Sequence, residues 1–84
     1  MNAYESLYCD VVYELNSVNF GDKTEEDKSF QYLLSAIEAF ENNREIEAKE
    51  KEEMLRIINN DSVELDIAYF NLLEFLNDMK RKVG

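Results

Sequence analysis

VELDIAYFNLLEFLNDM, residues 63–79, is the stretch whose periodicity decides the fold. At roughly 100° per residue, the advance of an α-helix, Leu65, Ala68, Tyr69, Leu72, Leu73, Phe75, Leu76 and Met79 fall on one broad face. Val63, Ile67 and Phe70 do not belong to it. They make a stripe of their own at i, i+4 and i+7, bordered by Glu64, Asp66, Asn71, Glu74 and Asn77. A helix that is apolar on two sides is either sandwiched inside its own bundle or touches another chain. The second stripe is therefore expected to be a homo-oligomer interface, with an internal core position or a contact to a foreign partner as the alternatives.

Working outward, "NNDSVE" before this stretch supplies Asp61 or Ser62 as a cap, and Asp61 with Glu64 has capping-box spacing. After it, Lys80, Arg81 and Lys82 complement the negative end of the helix dipole. The helix is expected over residues 62–82. Upstream, Met54, Leu55, Ile57 and Ile58 give a short apolar face to "REIEAKEKEEML". Its pairs Glu45–Lys49 and Glu47–Lys51 each support a helix by about 0.2–0.5 kcal/mol, even without burial. This segment, 44–59, is expected to project as a charged rod, separated from the preceding helix by a break at Asn42-Asn43.

That preceding helix, 25–42, shows Phe30, Leu33, Leu34, Ile37 and Phe40, with Thr24 as its expected N-cap. "NFGDKT" breaks the pattern around Gly21. The first helix, 3–18, carries Tyr4, Leu7, Tyr8, Val11, Val12, Leu15 and Val18 on one face. Absence of Pro and only two Gly leave too few turn residues for a small β-fold. The expectation is an all-α, single-domain bundle of three or four helices spanning residues 1–84.

Composition excludes several functions. The chain has no His and one cysteine, Cys9, so the usual near-neutral acid–base group, the commonest zinc ligand and a thiol triad are missing. Two distant glycines cannot build a phosphate-binding loop. "NDSVELD" lacks the central Gly of a calcium loop. A carboxylate–magnesium site of the helical pyrophosphatase kind needs an E-x-x-E pair followed by E-x-x-D. Glu38 with Glu41, and Glu50 with Glu53, supply only the first type. No cofactor or metal is expected, and a nucleotide hydrolase is the least favoured alternative.

Net charge is −10, and three of the nine basic residues sit at Lys80–Lys82. The field disfavours nucleic acid and anionic membranes and favours a basic protein. Tyr13 lies opposite the first helix's apolar stripe, among Ser6, Asp10, Glu14 and Ser17. An aromatic anchor set in carboxylates suits an interface. Candidate partner-binding residues are therefore Tyr13, Asp10 and Glu14, with Glu45, Glu47, Glu50, Glu52 and Glu53 of the rod. The oligomer candidates are Val63, Ile67 and Phe70. The lone cysteine, the lack of a long apolar run and the absence of a signal-like N-terminus suit a cytoplasmic setting. The expected role is a non-enzymatic, acidic protein-binding module. An antagonist or inhibitor of a basic, nucleic-acid-handling protein fits best, in the manner of an immunity or phage anti-defence factor. A self-associating structural or regulatory subunit is the alternative.

Overall fold

The computed structural model describes residues 2–39 and 48–83, which form four helices. They are α1 (Ala3–Ser17), α2 (Lys23–Glu38), α3 (Ala48–Ile58) and α4 (Leu65–Val83). The chain is all-α, with no strand among the described residues.

Polar side chains at the boundaries explain where the helices start. Asn2 caps α1, its Oδ1 accepting from the Glu5 N–H at 2.9 Å. Asp22 caps α2, with Oδ1 accepting from the N–H groups of Thr24 (3.0 Å) and Glu25 (3.3 Å). Thr24 is therefore not the N-cap. It lies inside the first turn, because the Asp22 carboxylate already satisfies the first free donors. Glu25 and Glu26 reach back in turn, accepting from the N–H groups of Asn19 (3.1 Å) and Gly21 (2.6 Å). Gly21 has φ +109°, a conformation open to glycine at little cost. The connection at residues 18–22 is thus pinned from both ends.

α1 packs on α2 and α4, and α3 packs on α2 and α4, so the helices form a closed square. Directions follow from who meets whom. Tyr8, early in α1, meets Lys80, late in α4, while Phe20, just past α1, meets Tyr69, early in α4. α1 and α4 are antiparallel. The start of α2 shares a cavity with the end of α3, and the start of α3 shares a hollow with the end of α4. The topology is up-down-up-down, and the radius of gyration of 12.2 Å matches the roughly 12 Å of a compact chain this long.

The core is a continuous cluster that includes Tyr4, Leu7, Val11, Leu33, Ile37, Met54, Ile58, Tyr69, Leu72 and Leu76, all buried. Every one belongs to a stripe legible in the sequence. Val63 is a correction. It precedes α4, in the bend at residues 61–64, and is partly buried beside the cavity at that end. It cannot share a helical stripe with Ile67 and Phe70, because α4 begins two residues later. The expected start at residue 62 fails because the backbone instead turns there, with Asn60 Oδ1 accepting from the Ser62 N–H at 2.9 Å.

A second correction concerns the charged rod. α2 and α3 are separate helices in contact, and the described part of the rod lies on the bundle with Met54 and Ile58 buried. It does not project over residues 48–58. Met54 and Ile58, one helical turn apart, dock the helix with Leu55 and Ile57 packed beside them, while its other face is charged. The Asn42-Asn43 break, Phe40, Glu41 and Arg44 lie outside the described residues.

Candidate protein-binding face

Tyr13 is 67% exposed on the outside of α1, and the structure sets a second tyrosine beside its acids. Tyr32, on the neighbouring α2, is 51% exposed, and its hydroxyl donates to Asp10 Oδ1 at a long 3.4 Å. The Tyr32 phenol is held above its ordinary pKa of 10.0, chiefly by the Asp10 charge, then by slight desolvation and the hydrogen bond to Asp10, with Glu14 and Tyr13 adding to it. Its ionisation would put an anion among carboxylates, so it stays a neutral donor across the physiological range. Asp10 and Glu14 are both partly buried, on the flank of α1 that faces α2. Two aromatic rings and two carboxylates thus share one face. No basic residue occurs anywhere in α1.

Tyr32 was legible by the same rule that singles out Tyr13. It stands off the apolar row of its helix, next to Leu33. Its pairing with Asp10, 22 residues away, could come only from the packing of α1 on α2.

The acids of α3 fare differently. Glu52 is exposed, whereas Glu53 is engaged with Arg56 one turn on. Glu50 lines a shallow hollow against Phe75, Met79 and Lys82 of α4, and its Oε2 is buried without a hydrogen-bond partner. Glu50 looks toward the bundle and Glu53 toward its own helix, and none of the three joins the Tyr13 face. Glu45 and Glu47 lie outside the described residues.

Ile67 (45% exposed) and Phe70 (53% exposed) sit on the outside of α4. The alternative of an internal core position is thereby excluded for both. Among the described residues no group of three or more His, Cys, Asp or Glu side chains is arranged to hold a metal ion. No described helix is long and apolar enough to cross a membrane. An open cavity of about 610 Å³ lies at the end of the bundle formed by the α3–α4 connection and the first turns of α2. Its wall is mostly polar, with Phe30, Val63 and Leu65 as apolar floor and Lys23, bridged to Asp27 at 3.5 Å, at its edge.

Ser29, unremarked in the sequence, pairs with Tyr69 of the last helix's core face. Ser29 Oγ and Tyr69 Oη lie 2.8 Å apart in the core, joining α2 to α4 across the diagonal of the square. The signal was a serine on the core row Ser29–Leu33–Ile37 together with a tyrosine on the core face of the last helix. Burial pushes the Tyr69 phenol above 10.0, and its bond to Ser29 only partly offsets this.

The fold and face together define a small antiparallel four-helix bundle with an acidic, tyrosine-bearing surface. Against protein-family models, curated proteins and solved structures, the chain finds no match.

Proposed function

We propose that the chain is a non-enzymatic module that binds a basic protein through the α1–α2 face, with Tyr13 and Tyr32 as anchors and Asp10 and Glu14 as charge partners. The supporting observation is the convergence of two exposed tyrosines, one from α1 and one from α2, beside two carboxylates of α1. Rigid aromatics give contact area at low entropic cost, and they dominate binding energy when surrounded by groups that exclude water. The carboxylates and the net charge of −10 steer a cationic surface inward and repel nucleic acid. A partner that handles nucleic acid presents such a surface, and occupying it makes the chain an antagonist acting in the cytoplasm.

The test is titration of the chain into purified basic nucleases, including restriction and RNA-guided enzymes, with binding followed by biolayer interferometry and activity by strand cleavage. For the target enzyme, Tyr13→Ser with Tyr32→Ser should weaken binding by at least about tenfold, a hot-spot effect. Asp10→Asn with Glu14→Gln should mainly slow association, and the slowing should fade as salt is added. A complex indifferent to both double changes and to salt would remove the proposal.

A further inference from the structure

We propose that the outward face of α4 around Ile67 and Phe70 docks a basic amphipathic helix of another protein, and not a second copy of this chain. The two side chains stand three residues apart, hence on one face and one turn from each other. Both are about half exposed, while Ala68, Tyr69 and Leu72 around them are buried. The core therefore does not use them.

Charge decides what fits. Within four residues of this pair lie Glu64, Asp66 and Glu74 and no Lys or Arg. Of the helices packed beside α4, α1 brings Glu14 near this end and carries no base, and Arg56 of α3 is engaged with Glu53. Lys80, the nearest base on α4, is ten residues from Phe70. That is about 15 Å along the axis, beyond the roughly 8 Å screening length at physiological salt. Its ammonium also sits 4.0 Å over the Tyr8 ring. Lys23, at the same end of the bundle, is bridged to Asp27.

A second copy cannot meet this face well. Packed antiparallel with Phe70 on Phe70, α4 sets Asp66 of each chain against Glu74 of the other. Packed parallel, every carboxylate meets itself. Sliding the antiparallel pair until Lys80 and Lys82 reach Asp66 and Glu64 displaces the two Phe70 rings by about 9 Å, six residues of helical rise. A copy thus loses either the aromatic contact or the charge match. A helix with apolar residues at i, i+3 and i+4 and lysines along its flanks satisfies both at once.

The anchors Ile67 and Phe70 are not part of the α1–α2 face, so anchor substitutions test the two proposals separately. The probe is a fluorescent peptide of about 18 residues, five helical turns, with leucines on one face and lysines on the other. A scrambled peptide of equal composition and a glutamate-for-lysine version serve as controls. Fluorescence anisotropy should show binding of the amphipathic basic peptide alone, weakened about tenfold by Phe70→Ser and by Ile67→Ser. Tyr13→Ser should change it less than about twofold, and the wild-type chain should sediment as a monomer. Unchanged circular dichroism and melting of Phe70→Ser confirm that the fold is kept. Equal binding of the scrambled peptide, no effect of Phe70→Ser, or a dimer that Phe70→Ser splits would each overturn the proposal. Sensitivity to Tyr13→Ser alone would move the docking to the α1–α2 face and overturn it too.

Discussion

Ser29 and Tyr69 exchange one hydrogen bond in a core otherwise made of apolar side chains. Removing one partner leaves the other hydroxyl buried and unpaired, which costs about 1–3 kcal/mol, whereas removing both is closer to neutral. Tyr69→Phe and Ser29→Ala should therefore each lower the urea midpoint, and the double change should destabilise by clearly less than their sum. Additive effects would show that the bond contributes no coupling. Tyr69 also predicts an alkaline limit. Its folded pKa lies above the unfolded value of 10.0, since burial disfavours the phenolate. Below pH 10 the phenol is protonated in both states and its contribution is intact. As pH rises from there through the folded pKa, the unfolded chain ionises first and stability falls. Tyr69→Phe should flatten that part of the stability–pH curve. A curve of unchanged slope would assign the alkaline loss to other groups.

At the scale of elements, the α1–α2 connection concentrates local information in few residues. Asp22 caps α2 through two N–H groups, and Gly21 takes the positive φ that lets the chain reverse. Asp22→Ala should cost about 1 kcal/mol, within the roughly 0.5–2 kcal/mol range for caps. Gly21→Ala meets no atom within 4 Å, so its cost is backbone strain alone. That strain is roughly 1–2 kcal/mol for a non-glycine residue in left-handed space. Chemical denaturation of both variants checks this, and a Gly21→Ala protein of wild-type stability would mean the connection relaxes to another turn. α3 teaches the opposite lesson. Its charged sequence reads as a free-standing rod, yet Met54 and Ile58 bind it to the bundle. Helix-forming pairs define the element without saying where it lies.

For the whole molecule, charge is the dominant collective term. Nineteen acids against nine bases, offset in part by exposed ion pairs such as Lys23–Asp27, leave the folded chain under self-repulsion. Raising ionic strength from about 0.01 to 0.15 M shortens the screening length from about 30 to 8 Å. The melting temperature should rise by a few degrees over that interval, since about 1 kcal/mol moves a domain this small by roughly 4–8 °C. Calorimetry in potassium chloride checks it. A melting temperature independent of salt would mean that the carboxylates are far enough apart to ignore one another.

The sequence alone determined that this chain is a bundle of amphipathic helices, because the 3.6-residue period of apolar side chains is a local property of the backbone. Leu7, Val11, Leu33, Ile37, Leu72 and Leu76 are core residues for that reason, and Tyr13 is legible as exposed by the same geometry. Tertiary structure decided which faces meet. It put Tyr32 beside Asp10, paired Ser29 with Tyr69, laid α3 on the bundle and took Val63 out of α4. Periodicity fixes each residue's angle about its own helix axis. It carries no term for the distance, direction or register between two helices, which only the joint packing of all four supplies.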